Sequence, residues 1–113
     1  MRDYRGSLTY KDHKYMLVFN LNVMETIQEK YGTIENWGSL TDGAEPDAAA
    51  LKYGVWAMLN EGIDIENEET GSELQPFTLK QVGRILSEVG MDTASDALHE
   101  TVTESVKSDE KNA

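Results

Sequence analysis

The sequence has no cysteine, and only two prolines and two histidines among its 113 residues. The absence of cysteine excludes disulfide bridges, thiolate metal sites and cysteine nucleophiles, and it fits a reducing compartment. No run of about 18 uncharged apolar residues is present, and the first ten residues lack the apolar segment of a signal peptide. We therefore expect a chain that neither spans a membrane nor is exported by that route.

Basic residues are also scarce, because ten Lys and Arg stand against 21 Asp and Glu, for a net charge of -11. A charge of this sign repels phosphate backbones and anionic lipid headgroups, so nucleic acid and membranes are not expected partners. The carboxylates are concentrated in residues 61–75, which hold six of them and no base. A protein with a basic surface would be steered towards this segment.

The start of the chain carries a β pattern. Two β-rich runs, 7–10 and 15–19, flank the polar residues 11–14 and predict a β-hairpin with a four-residue connection. Asn20 or Asn22 then supplies an N-cap for a helix. We expect this helix to cover residues 22–31 and to stop at Gly32.

Further along, residues 34–37 predict a short helical turn and residues 38–46 a loop. A second helix is predicted over 48–60, with Gly62 as its end signal. This helix is apolar nearly all round, which indicates a central position and is also compatible with self-association. Its Trp56 is expected either in the core or as an anchor for a partner.

The acidic residues 63–75 are predicted to form an exposed loop. Asp64, Glu66 and Glu68 have the alternate spacing of a calcium loop. The match fails because Glu69 replaces the turn glycine and Gln75 the bidentate acid. A solvated run of charges explains the segment better, and no cofactor or metal site is expected.

The last third of the chain predicts two more helices. Thr78 and Gln81 form a capping-box pattern that opens a third helix ending at Gly90. A fourth helix restarts at Met91 and is expected to pack weakly, while residues 107–113 are expected to be a disordered acidic tail. The fourth helix has a thin apolar stripe formed by Ala94, Ala97, Leu98, Val102 and Val106.

No catalytic constellation is recognisable. His13 lies in the predicted hairpin connection and His99 on the fourth helix, and neither is accompanied by a nucleophile-elbow motif. Residues 38–43 have the outer glycines of a phosphate loop, but Ala44 and Glu45 follow where Lys and Ser or Thr are needed. We therefore do not expect an enzyme.

Several of these segments together resemble the tail assembly chaperones of long-tailed phages and of prophages in Gram-positive bacteria. The resemblance covers residues 8–90 and rests on three short motifs separated by helix stops. The motifs consist of Phe19, Asn22, Met24, Ile27, Tyr31 and Gly32, then Asn60, Glu61 and Gly62, and then Thr78, Val82, Gly83 and Leu86.

The resemblance implies a non-catalytic protein of the bacterial host cytoplasm that is absent from the mature virion. Such proteins bind the tape measure protein and promote polymerisation of the tail tube protein around it, and many also have a frameshifted longer form. Apolar side chains left over on the second and fourth helices would then cover the partner. The partner-binding residues expected on this basis are Tyr53, Trp56, Leu98 and Val102.

Two other functions stay open: a structural or connector protein of the virion, and a small acidic regulatory binding module. The second lacks a recognisable DNA-reading helix. The expected fold is α+β, one domain over residues 1–106 with an N-terminal β-hairpin packed on three to four helices. Its predicted core contains Leu17, Phe19, Val23, Ile27, Tyr31, Leu51, Val55, Met58, Leu59, Val82, Ile85, Leu86 and Val89.

Overall fold

The computed structural model describes the backbone of residues 4–111 and the side chains of residues 5–106. The fold opens with the antiparallel strands β1 (Tyr4–Tyr10) and β2 (His13–Phe19), which confirms the predicted hairpin. Its connection is a two-residue turn instead of the predicted four, because Lys11 and Asp12 adopt positive φ angles of 50° and 62°. The usual signal for such a turn, a glycine after Asn or Asp, is absent from this part of the sequence.

Two helices follow the hairpin, α1 (Leu21–Tyr31) and α2 (Ile34–Thr41). The predicted caps of α1 are confirmed. The Asn20 side chain accepts a hydrogen bond from the backbone N–H of Val23 at 3.2 Å, and Gly32 ends the helix with φ of 84°. Sequence patterns therefore located α1 to within one residue.

Helix α2 is longer than the short helical turn predicted over residues 34–37, since residues 38–41 are helical and not part of a loop. Trp37 is 1% exposed, and its indole Nε1 donates a hydrogen bond to the backbone oxygen of Ala50 at 3.0 Å. Burial of so large a side chain, with its polar atom satisfied, favours the extra turn more than one glycine opposes it.

The central helix, α3 (Ala48–Thr70), departs most from prediction, because it continues through Gly62. A Cβ atom at Gly62 would lie 2.7 Å from the backbone oxygen of Met16. The glycine therefore lets α3 pack closely on β2 and does not end a helix. The end comes at Gly71, whose φ is 74°, so residues 63–70 are helical and the prediction of a loop there was wrong.

Helix α4 (Leu79–Val89) is the third of the predicted helices, and it is confirmed together with its capping box. The Thr78 hydroxyl accepts from the backbone N–H of Gln81 at 3.1 Å, and the Gln81 side chain accepts from the backbone N–H of Thr78 at 2.8 Å. Gly90, with φ of 93°, separates α4 from the last helix.

The last helix, α5 (Met91–Lys111), packs more firmly than its thin apolar stripe predicts. Thr101 and Ser105 are 0% exposed, and the Ser105 hydroxyl donates to the backbone oxygen of Phe19 at 3.2 Å. The side chain of Thr101 occupies the space that a Cβ atom at Gly6 would fill. Small hydroxylated residues thus form the docking face on the hairpin, so the expectation of weak packing was wrong.

The predicted tail, 107–113, overlaps with the end of α5. The backbone is helical as far as Lys111. The side chains from residue 107 onwards and the whole of residues 112–113 lie outside the described part of the chain. The predicted domain boundary therefore stays a prediction.

The predicted α+β class, a hairpin on a mostly helical body, is confirmed. All the predicted core residues are buried except Tyr31 and Val89, which are half-buried against the core. No helix within residues 4–111 combines the length and the apolar character needed to cross a bilayer. The prediction missed the buried Leu8, Val18, Trp37, Ala50, Ala57, Ala94 and Leu98.

Candidate partner-binding surface

Three half-buried rings meet where α1 lies against α3. Tyr53 and Trp56 are one turn apart on α3, and their ring centroids are 5.2 Å apart with the planes tilted by 41°. Tyr31, at the end of α1, approaches Tyr53 edge to face at 5.8 Å and 71°. We call Tyr31, Tyr53 and Trp56 the aromatic surface. Edge-to-face and tilted pairs at these distances are favourable arrangements for aromatic rings.

Hydrogen bonds fix the polar edges of two of these rings. The Tyr53 hydroxyl donates to the backbone oxygen of Thr26 at 3.3 Å. The Trp56 indole Nε1 donates to the backbone oxygen of Phe77 at 3.0 Å. The rings are therefore held in place before any partner arrives, which lowers the entropy lost when they are covered.

The loop that receives Trp56 is itself fixed. The Asn60 side chain donates to the backbone oxygen of Phe77 at 3.0 Å and accepts from its backbone N–H at 2.8 Å. The Phe77 ring packs edge to face against Tyr15 of β2 at 5.4 Å. The rings of α1 and α3 and the ring pair of the loop and β2 thus form a series, joined by the hydrogen bond from Trp56 to the backbone of Phe77.

Charged groups border the aromatic surface. The Lys30 ammonium lies 4.7 Å from the centroid of the Tyr53 ring, within the range of a cation–π contact. Burial raises the pKa of Tyr31, with smaller contributions from the Asp47 carboxylate and from Tyr53. Burial also raises the pKa of Tyr53, assisted by Glu29. Burial and the nearby carboxylates therefore act in the same direction, and both favour the neutral form of these phenols.

Of the predicted partner-binding residues, the structure brings only Tyr53 and Trp56 together. Leu98 is 0% exposed and packs beside Gly54 in the core, so it offers no surface to a partner. Val102 is half-buried against the core on α5. The assignment of Leu98 to a partner-binding surface was wrong because this side chain packs α5 against the core of the protein itself.

Two members of the ring series were not predicted as surface residues. Tyr31 was placed in the core, since it completes the apolar stripe of α1, but its position on the last turn leaves it half-exposed. Phe77 received no role. It directly precedes the N-cap Thr78, and an apolar residue there, paired with Val82 in the first turns of α4, is the pattern of a hydrophobic staple. That pattern would have indicated Phe77 as a packed residue.

Both ring nitrogens of His99 lie within hydrogen-bond distance of a hydroxyl group. Its Nε2 lies 3.1 Å from the Thr41 hydroxyl and its Nδ1 lies 3.2 Å from the Ser95 hydroxyl. The Ser95 hydroxyl also reaches the backbone oxygen of Thr41 at 3.3 Å. These contacts join α5 to the end of α2. Among the described residues no carboxylate hydrogen-bonds to the ring, so the cluster has the geometry of a structural contact, not that of a catalytic triad.

The carboxylates that suggested a calcium loop lie on a helix. Asp64, Glu66 and Glu68 belong to α3, whose regular backbone cannot wrap around an ion as a 12-residue loop does. In the part of the chain that the structure describes, no three His, Cys, Asp or Glu side chains converge as metal ligands would.

Comparisons of this chain with protein-family models, with curated proteins and with solved structures found no match. The resemblance to tail assembly chaperones therefore stays a prediction from the sequence motifs. What the structure adds is a set of fixed and partly exposed rings on the surface of a strongly acidic protein.

Proposed function

We propose that this protein is a non-catalytic phage tail assembly chaperone that binds the tape measure protein and promotes assembly of the tail tube. The observation that carries the proposal is the aromatic surface. Its three rings are half-buried, two are held by hydrogen bonds to the backbone, and the protein around them has a net charge of -11. Tyr and Trp in such positions are the residues that most often dominate protein interfaces.

The chemistry of this surface suits an apolar stripe on a helical partner. A partner helix presents side chains at positions i, i+3, i+4 and i+7, and these pack against a row of rings in the helix-in-groove mode. The surrounding carboxylates keep the complex soluble and favour a partner with a positive charge next to its stripe. A long helical tape measure protein has the surface that such a chaperone would cover.

This proposal places the protein in the cytoplasm of the bacterial host during assembly and outside the finished virion. It also requires no bond to be made or broken. Binding would shield apolar surface that otherwise aggregates, and release would follow as tube subunits pack around the tape measure protein.

The test is co-expression of the chain with fragments of the tape measure protein from the same phage genome. The wild-type chain should keep a fragment soluble and co-purify with it. Tyr53→Ala removes the central ring, and at a binding hot spot its loss weakens affinity by about 30-fold, equivalent to about 2 kcal/mol.

Tyr10→Ala provides the matched control, since Tyr10 is also a half-buried tyrosine but lies on β1. This variant should bind like the wild type once its folding has been checked. The proposal fails if the wild-type chain leaves every fragment insoluble, or if the two variants bind equally well.

A further inference from the structure

A cleft of about 350 Å³ opens between the second half of α3 and the beginning of β2, apart from the aromatic surface. Gly62, where α3 comes close to β2 because this residue has no side chain, is part of the lining. Such a volume lies at the lower end of the range of ligand pockets, about 300 to 1,000 Å³. The apolar part of its lining consists of Met16, Leu59, Ile63, Leu74 and Phe77.

The cleft also reaches the outer edge of β2. The Met16 carbonyl faces α3 at Gly62, which means that it turns away from β1. In an antiparallel ladder this orientation repeats every second residue, so Lys14 also turns its backbone N–H and C=O outwards. The helix covers the edge at Met16, whereas Lys14 lines the open cleft. The backbone N–H and C=O of Lys14 are thus available for hydrogen bonds to an extended segment.

The charges at the cleft favour a basic partner. Glu66 lines it from α3, in the segment 61–75 that carries six carboxylates and no base. Glu69 of this segment is paired with Arg5 at 3.1 Å, and the described residues provide Glu66 with no ion pair. Lys14 lines the cleft from β2 and carries a positive charge. The carboxylates of 61–75 outnumber it and set the sign of the local field.

We propose that this cleft binds a short extended peptide with one large apolar side chain next to Lys or Arg. The apolar side chain enters the hollow between Ile63 and Phe77. The peptide backbone exchanges hydrogen bonds with Lys14, and the neighbouring base pairs with Glu66. This inference goes beyond the proposed function, because none of the three rings of the aromatic surface lines the cleft.

The probe is the capped five-residue peptide Lys-Lys-Leu-Lys-Lys, titrated into the full chain while amide chemical shifts are recorded. We expect the shifts to change at Lys14, Ile63 and Leu74 and not at Tyr53. Lys-Lys-Gly-Lys-Lys, with the same charge, should bind at least about ten-fold more weakly, because burial of a leucine side chain contributes roughly 1.5 to 3 kcal/mol.

Two variants test whether binding depends on the carboxylate in the cleft or only on the net charge of the protein. Glu66→Lys should weaken binding of the leucine peptide by about five-fold, the upper range for an exposed ion pair. Glu88→Lys makes the same change of net charge on α4 and should leave affinity within about two-fold of the wild type. Both positions are exposed on helices, so folding should be unaffected.

A third variant fills the hollow directly. Leu74 is 45% exposed, and its backbone is held by the Asn67 side chain at 2.9 Å and 3.1 Å, so Leu74→Trp keeps the loop in place. It should abolish the shift changes at Ile63. The proposal is overturned if the leucine and glycine peptides bind equally, if Glu66→Lys and Glu88→Lys have equal effects, or if Leu74→Trp binds like the wild type.

Discussion

The two halves of α3 belong to one helix but are stabilised in different ways. In the first half, 48–59, apolar or small residues are buried on several sides of the helix, whereas in the second half, 60–70, Gly62 alone is buried. The first half is thus part of the core. The second lies on the hairpin along one side and exposes its carboxylates along the other. The buried residues of the first half are Ala50, Leu51, Gly54, Val55, Ala57, Met58 and Leu59.

The second half of α3 has few buried residues and makes polar contacts to the following loop instead. Asn60 holds both the N–H and the C=O of Phe77, and Asn67 does the same for Leu74. Each amide side chain thereby replaces the strand or helix partner that a loop backbone lacks. This half of α3 works as a frame for residues 71–78 and gives the cleft its shape. Two regions of one helix can therefore serve stability and recognition separately.

The largest expected effect is in the first half. Leu51→Ala removes a fully buried side chain and should lower the free energy of unfolding by about 2 to 5 kcal/mol, which can be most of the stability of so small a domain. Urea denaturation followed by circular dichroism measures it. Leu74→Ala deletes the same atoms at a position that is 45% exposed and should cost less than about 1 kcal/mol. Equal losses would refute the contrast between the two regions.

A smaller effect is expected where the second half contacts the hairpin. Gly62→Ala gains about 1 kcal/mol of helix propensity, but its new Cβ meets the backbone oxygen of Met16, which cannot rotate away. We expect a net loss of about 1 to 3 kcal/mol in denaturation experiments, the usual cost of overpacking.

Gly38→Ala is the matched control for this variant. Gly38 also lies in a helix, α2, but a Cβ atom there would have no neighbour within 4 Å. The substitution should therefore stabilise the protein by about 0.5 to 1 kcal/mol. If both variants change the stability in the same direction, Gly62 is not a packing contact.

Gly62 also shows why the sequence predicted some elements and not others. The ends of α1 and α4 depend on neighbouring residues, such as Asn20 for α1 and Thr78 for α4, so local patterns locate them. Gly62 has the same local signature as a helix stop. Its role depends on Met16, which is far away along the chain, and nothing near Gly62 in the sequence reveals that contact.

The residues predicted for the candidate surface also differ in whether local sequence determines their position. Tyr53 and Trp56 follow from their spacing on one helix, which the sequence contains in full. The burial of Leu98 depends on how tightly α5 packs. That packing comes from Thr101 and Ser105, whose hydroxyls are satisfied by backbone oxygens. Hydroxylated residues count as polar in any periodicity argument, so the tight docking of α5 and the burial of Leu98 were missed together.

The smallest expected effect is at the exposed end of the second half. A hydrogen bond from Arg5, together with its positive charge, lowers the pKa of Glu69 below its ordinary value of 4.5. A carboxyl with a lowered pKa in the folded state stabilises it above the unfolded pKa, and this contribution is lost as the pH falls through the folded value. Glu69→Gln should therefore be slightly less stable than the wild type at neutral pH, and the difference should disappear in acid.

Urea denaturation of both proteins between pH 7 and pH 3 measures this difference, and added salt should reduce it, because the pair is exposed. Glu68→Gln removes the same charge from the adjacent position without touching Arg5, so it reports the effect of net charge alone. A stability difference for Glu69→Gln that persists unchanged in acid would show that this end of α3 is held by contacts other than the ion pair. The second half would then resemble the first, which depends on contacts that do not titrate.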